Sequence, residues 1–275
     1  MMDLEAALKE LVARVAPSGY ESEVAAYIRA RAEARGIKVA VDALGNVICC
    51  LNRQPGGPRV AVFAHMDEIG LVVRKIEKEG FLRVVRLGGI EEKSLAGKEV
   101  LVLSKHGEKI PGLIGIKAHH LVKPEEKYVV TKIEDIYIDI GTESYEETKT
   151  VGVDVGCPVV FNRTFVSRGH RVFANSLDNR GGCSVLLAVL DMIERDKLSA
   201  EVYLIGSVQE EFSLRGVLPA IRAIAPDLLV CLDIAPACDT PDLEGYANVL
   251  LGGGPTLNMY TFHGRGTLAG LLPSR

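Results

Sequence analysis

Three short apolar runs, far apart in the chain, constrain the fold of this sequence more than any other feature. They cover residues 60–64, 202–208 and 228–232, and they are apolar on neighbouring positions rather than on alternate ones. A strand that is buried on both faces of a sheet has this pattern. Segments 182–194 and 218–224 are typical of helices and lie between the runs. Alternating strands and helices predict a largely parallel mixed sheet with helices on both sides.

The first fifty residues predict two helices and two strands. Apolar residues recur at helical spacing over residues 4–15, and Ser18 and Glu21 have the spacing of a capping box that begins a second helix. Residues 37–42 and 46–51 are predicted as strands that are joined by a turn.

The middle of the chain has a different character. Between residues 71 and 169, strand-like pieces are separated by turns that are rich in glycine or in charge, and helices are short. We therefore predict an α/β fold with two domains. A three-layer catalytic domain is formed by residues 1–70 and 170–275, and a β-rich, barrel-like domain of residues 71–169 is inserted into it.

Residues that can bind metals or exchange protons follow each of the three apolar runs. His65 and Asp67 follow the first run, the pair Glu210-Glu211 follows the second, and Asp233 follows the third. Another acidic residue, Asp178, stands just before the helical segment that begins near residue 182. Ligands of open α/β sheets bind outside the carboxyl ends of the strands, so these side chains are expected to meet at one sheet edge.

A group of carboxylates at one edge favours a bound cation, because like charges in proximity cannot all stay ionised. One histidine with several carboxylates suits zinc, manganese or cobalt better than magnesium or calcium. Two metal ions would need a shared ligand, and the Asp178 carboxylate can bridge them. Asp67 shares a strand face with His65 and could orient its imidazole. Since neighbouring residues of an extended chain point in opposite directions, one of Glu210 and Glu211 can bind metal while the other serves as a general base.

Composition excludes several other classes of function. The net charge is −4 and no cluster of Lys and Arg occurs, so nucleic acid is not an expected partner. No segment has the roughly 18–20 consecutive apolar residues that span a membrane. The N-terminus lacks the pattern of a secretory signal, and the six cysteines form no CxxC pair. These features predict a cytoplasmic protein with free, buried thiols.

The acidic and histidine motifs, taken as a set and in this order, resemble those of one peptidase family. The chain is similar from its first helix to about residue 270 to the tetrahedral (TET), or glutamyl-aminopeptidase-like, family of dinuclear metallo-aminopeptidases, some members of which carry cellulase-type names. The motifs that carry the resemblance are His65-Met66-Asp67-Glu68-Ile69-Gly70, Ser176-Leu177-Asp178-Asn179-Arg180-Gly181-Gly182-Cys183, Gln209-Glu210-Glu211 and Asp233.

The resemblance implies a role for each site residue. His65 and Asp233 would bind one divalent ion, Glu211 the second, and Asp178 both. Glu210 would be the general base that takes a proton from the attacking water, and Asp67 would orient His65. The implied reaction is removal of N-terminal residues from peptides by a water that two metal ions, zinc or cobalt, activate.

The resemblance also implies an assembly and a gap. The inserted domain of residues 71–169 would mediate self-association into a dimer or a dodecamer. The family's last histidine ligand lies in a segment that would follow residue 275, and none of the six histidines here matches it. The second metal is therefore expected to bind weakly in this chain.

Two alternatives stay open from the sequence. The chain could be a truncated, inactive or weakly active member of the same family that serves as a structural subunit. It could also be a glycoside hydrolase on a similar scaffold, as the cellulase-type names suggest. Glycosidases need two facing carboxylates and no metal, so the combination of His65, Asp178 and Asp233 argues against that alternative.

Overall fold

The computed structural model describes residues 3–213, 215–243, 245–258, 260–263 and 267–271. These residues divide into two compact units, 1–233 and 234–275. The first unit holds all the helices, a central sheet, a barrel and a two-stranded ribbon among its described residues. In the second unit the described strands form a hairpin.

The helices and strands have the following bounds. The α-helices are α1 (Leu4–Val12), α2 (Ser22–Glu33), α3 (Tyr145–Thr150), α4 (Leu177–Met192), α5 (Glu210–Ser213) and α6 (Leu218–Ile224). The strands of the first 115 residues are β1 (Lys38–Val41), β2 (Val47–Cys50), β3 (Arg59–His65), β4 (Gly70–Ile76), β5 (Leu82–Leu87), β6 (Glu99–Leu103) and β7 (Lys109–Gly115). Those that follow are β8 (Tyr137–Asp139), β9 (Pro158–Phe161), β10 (Phe165–Arg168), β11 (Arg171–Ala174), β12 (Glu201–Ser207), β13 (Leu228–Cys231), β14 (Tyr260–His263) and β15 (Thr267–Leu271).

The central sheet is mixed and has the strand order β1-β2-β12-β3-β13. Strands β12, β3 and β13 are parallel, whereas β2 runs antiparallel to β12 and to β1. All three apolar runs of the sequence are therefore neighbours in one sheet. Their carboxyl ends lie side by side, which is the arrangement predicted from the sequence.

Helices cover both faces of this sheet and complete three layers. On one face, α1, α2 and α4 contribute Leu11, Ile28 and Leu187, each at most 2% exposed, to the larger core. On the other face, Ile224 of α6 packs with Ala61 and Ile205 of the sheet. Each fully buried aliphatic side chain stabilises the fold by about 1.5–3 kcal/mol. The predicted three-layer α/β fold is confirmed.

Between β3 and β12, the chain forms a closed barrel of six strands in the order β4-β5-β8-β7-β6-β9. The barrel has a core of its own, in which Leu82, Ile114 and Ile138 are almost completely buried. Closure leaves no free strand edge. Gly70 opens the barrel where the backbone approaches closely, since a Cβ there would lie 2.7 Å from the carbonyl oxygen of Val159.

Several local predictions were wrong. Strand β7 was not predicted, because the Pro111 and glycines of its sequence argue against a strand. The pair Ser18 and Glu21 forms no capping box: α2 begins without a side-chain cap, and the buried Ser18 Oγ lacks a hydrogen-bond partner among the described residues. Strand β13 was expected to be buried, yet its residues are exposed, because it is the last strand of the described sheet.

The search for membrane-spanning segments gave a negative result: no helix in the described part of the chain has the length and hydropathy that crossing a bilayer requires.

Candidate metal centre

The His65 imidazole is the centre of the candidate site. It ends strand β3 and is only 3% exposed. Its Nε2 lies 3.0 Å from Asp178 Oδ1, 3.8 Å from Asp233 Oδ1 and 3.9 Å from Glu210 Oε2. One ligand atom each from His65, Asp178 and Asp233 lies within 4.8 Å of the other two. Three residues that are far apart in sequence therefore form one compact group at the carboxyl edge of the sheet.

The segment that carries Asp178 is fixed to the end of β13. Asn179 Nδ2 donates to the carbonyl oxygen of Leu232 at 2.8 Å, and the backbone N–H of Gly182 donates to Asn179 Oδ1 at 2.8 Å. Gly182 must be a glycine for this contact, because a Cβ would lie 2.7 Å from the Leu232 oxygen. Since Leu232 precedes Asp233, the same contacts place Asp178 and Asp233 side by side.

Asp67 lies behind the imidazole and has no exposed surface. Its two carboxylate oxygens accept hydrogen bonds at 3.0 Å from the backbone N–H groups of Glu210 and Glu211. Its Oδ1 also lies 3.4 Å from His65 Nδ1. Burial raises the pKa of Asp67, but the nearby imidazole and the two N–H donors outweigh burial and lower it overall. Asp67 therefore stays ionised and touches both sides of the site.

Glu210 and Glu211 occupy the first turn of the short helix α5, not an extended segment as the sequence predicted. The chain reaches this helix through Gln209, whose φ of 55° turns the backbone sharply after β12. Glu21 accepts a hydrogen bond from the backbone N–H of Gln209 at 3.0 Å and so supports that turn. Consecutive residues of a helix point about 100° apart, so the two glutamates still diverge.

The carboxyls of Glu210 and Glu211 both have raised pKa values. Burial is the main cause for each, and neighbouring carboxylates add to it. The shift is larger for Glu211, whose pKa rises to about 7 through burial and the charge of Asp178. Glu211 lines a cavity of about 340 Å³ with Asp178, Phe161 and Ile69. The two glutamates thus differ in place: Glu210 approaches the His65 imidazole, whereas Glu211 lies on the cavity.

The donor set fits a divalent cation of the zinc type. It combines one imidazole nitrogen with carboxylate oxygens, at separations that a single ion can bridge. Burial lowers the pKa of His65, but Asp178, Asp233 and Asp67 outweigh burial and raise it. Positive charge is therefore strongly favoured at this point of the molecule, and a metal ion supplies it with three ligands already converging.

The sequence did not indicate three of the contacts that shape the site. They are the double hydrogen bond from Asp67 to α5, the support of Gln209 by Glu21, and a buried network around Glu68. The Ser18-Glu21 spacing was a signal for the second contact, but a capping box explained it equally well.

Comparison with known proteins identifies the class. The SgcX protein of Escherichia coli K12 is 40% identical over 267 residues, which is 96% of this chain and 71% of the relative. The glutamyl aminopeptidase of Lactococcus lactis is 32% identical over 94% of this chain and 73% of its own length. Among solved structures, an aminopeptidase from Desulfurococcus kamchatkensis superposes with a TM-score of 0.81 at 34% identity, covering 89% of this chain and 66% of the other.

Two further structures are informative. The TET1 peptidase of Pyrococcus horikoshii, described as assembling into a tetrahedron or an octahedral shell, has a TM-score of 0.78 at 32% identity, with 87% of this chain and 71% of the other covered. A Thermotoga maritima structure described as an endoglucanase has a TM-score of 0.69 at 30% identity, covering 86% and 68%. The fold and site are thus those of aminopeptidases.

The sequence profile of the M42 glutamyl aminopeptidases matches residues 45–266. This chain belongs to the M42 glutamyl aminopeptidase family. It spans between 66% and 73% of the length of the relatives just described.

Proposed function

We propose that this chain carries the catalytic centre of a metal-dependent aminopeptidase that removes N-terminal residues from peptides. The observation that carries the proposal is the convergence of His65, Asp178 and Asp233 within 4.8 Å, with Glu210 beside them. Membership in an aminopeptidase family supplies the substrate class.

The proposed ligands are divided between two divalent ions. His65 and Asp233 would hold the first ion, Glu211 the second, and Asp178 would bridge them. When bound, zinc or cobalt would polarise the scissile carbonyl and lower the pKa of water. Among the described residues, only Asp178 and Glu211 are offered to the second ion, so its affinity is expected to be lower than that of the first.

The chain's own residues perform the proton transfers in this proposal. Glu210 Oε2 accepts the proton of the attacking water and returns it to the nitrogen of the leaving peptide. Its raised pKa brings it closer to neutrality, which improves the second transfer without preventing the first. Asp67 holds the N-terminus of α5 through two hydrogen bonds, so it positions Glu210 and Glu211 relative to His65.

Self-association through the barrel is part of the same proposal. The solved relative from Pyrococcus horikoshii is described as forming closed shells. The barrel is a separate folded body of residues 70–161 and is the proposed interface for a dimer or a dodecamer. We also place the protein in the cytoplasm, since all six cysteines are free.

The proposed activity is tested with a panel of aminoacyl anilides in the presence of added zinc or cobalt. We expect chelator-sensitive hydrolysis of at least one anilide and no hydrolysis of a glucan. If the metal-loaded chain binds its ions but turns over no anilide, the second interpretation holds, in which the chain is an inactive structural subunit. Glucan hydrolysis that a chelator leaves unchanged would instead support the glycoside hydrolase.

Metal binding has its own expected signature. A metal that binds only the folded chain stabilises it by about 2.7 kcal/mol at a hundred times its dissociation constant. We expect zinc or cobalt to raise the Tm of the wild-type chain in calorimetry, and magnesium to raise it less because it prefers ligand sets made only of oxygen. In the variant His65→Ala the metal-induced rise should disappear, whatever its metal-free Tm. A rise that persists would place the ion elsewhere.

A further inference from the structure

The most densely bonded carboxylate outside the proposed chemistry is that of Glu68. Its side chain is 3% exposed, and it accepts hydrogen bonds from four other residues. Arg163 donates from both terminal nitrogens at 2.6 Å, and Arg180 Nη2 donates at 3.0 Å. The backbone N–H of Ala16 donates at 2.9 Å, and the Ser176 hydroxyl makes a short hydrogen bond.

These donors come from separate segments that meet only here. Ala16 lies in the loop after α1, and Arg163 follows β9, the last barrel strand. Ser176 stands two residues before Asp178, and Arg180 two residues after it. Glu68 itself lies between the end of β3 and Gly70, where the barrel begins.

Glu68 and Arg163 therefore stand on the two connections through which the chain enters and leaves the barrel, here called the neck of the barrel. The two parallel N–H···O contacts between them fix the distance and the angle of these connections. The Arg163 Nη1 atom also lies 3.2 Å from Ser176 Oγ, so the neck contacts the Asp178 segment from both sides.

The network is both charged and buried, so it has few alternative arrangements. Burial raises the pKa of Glu68, but the Arg163 and Arg180 guanidinium groups outweigh burial and lower it. The carboxylate is therefore ionised. An ionised buried carboxylate must keep its donors, since losing one leaves a charge without compensation.

We propose that Glu68 is a positioning residue whose carboxylate ties the neck of the barrel to the segment carrying Asp178. A displacement of the barrel then moves Arg163, and through Glu68 and Ser176 it moves one wall of the candidate metal centre. The inference deepens the proposed function, because it concerns the placement of a proposed metal ligand, but the linkage itself needs no bound ion.

Hydrogen exchange of the full chain without added metal tests the linkage. Glu68→Gln keeps the shape of the side chain and removes its charge, and Ser176→Ala removes only the hydroxyl contact. We expect backbone amides of residues 175–180 to exchange about ten- to a hundredfold faster in both variants, as loss of a hydrogen bond to a charged group implies. The matched control is Asp191→Asn, which weakens a half-buried ion pair with Arg31 outside the site and should leave these amides unchanged.

Zinc affinity, measured by calorimetric titration, is the second readout. Loss of a residue that orients a ligand lowers metal affinity by about 10- to 100-fold, and we expect a decrease in this range for Glu68→Gln. Unchanged exchange over residues 175–180 in Ser176→Ala would overturn the proposal, even if Glu68→Gln failed to fold. A wild-type chain that binds no zinc but shows faster exchange in Ser176→Ala would instead contradict the proposed function and keep the linkage.

Discussion

Replacing Glu210 with glutamine is expected to lower the rate of peptide hydrolysis by about 10²- to 10⁴-fold, the usual contribution of a general base. Glutamine keeps the size of the side chain but cannot accept the proton. The contacts that hold α5 are made by backbone N–H groups and Asp67, so they survive the change. The loss should therefore fall on kcat, with KM and the Tm close to wild-type values.

The control for this experiment is Glu108→Gln, a change of the same chemistry at an exposed position in the barrel. It should leave kcat, KM and the Tm unaltered. Steady-state kinetics on the best anilide of the panel, with metal added to both variants, provide the comparison. If Glu210→Gln kept wild-type turnover, another group would have to serve as the base.

The largest effect on stability is expected from Arg180→Met. Arg180 has no exposed surface, and its guanidinium donates to the carbonyl oxygens of Leu11, Arg14 and Met66 and to Glu68 Oε1. Methionine fills part of the volume but leaves the buried carboxylate of Glu68 without one of its partners. Breaking a buried pair in this way costs about 3–5 kcal/mol, which corresponds to a Tm lower by roughly 6–20 °C.

Differential scanning calorimetry measures this change, with Arg29→Met as the control. Arg29 forms an exposed pair with Glu33 at 2.7 Å within helix α2. Exposed pairs of this kind contribute about 0–1 kcal/mol, so the control should shift the Tm by little. A similar Tm for the two variants would mean that the buried network is unimportant for stability.

The sequence predicted the central sheet and the place of the site for a single physical reason. Strands that are buried on both faces are apolar on neighbouring positions, so residues 60–64 and 202–208 could be recognised without their partners. The residues that follow each run then had to lie at one edge. The convergence of His65, Asp178 and Asp233 followed from that topology, and the structure brings their ligand atoms together.

Features that depend on contacts between distant segments could not be predicted. The helical turn of Glu210 and Glu211 depends on two hydrogen bonds from Asp67, which is more than 140 residues away. The Glu68 network likewise joins positions that no local pattern connects. Strand β7 escaped prediction for the opposite reason: its local sequence disfavours a strand, and closure of the barrel overrides that preference.

The strand order of the central sheet has a consequence for how the molecule forms. Strands β2 and β3 are consecutive in the chain, but they do not pair; β12 lies between them. During synthesis, the two early strands therefore lack a common neighbour until residue 207 has left the ribosome. The barrel contains only contacts among residues 70–161 and can close earlier. A nascent chain should thus carry a finished barrel on an unfinished sheet, with the apolar residues of β3 waiting for a strand made 140 residues later.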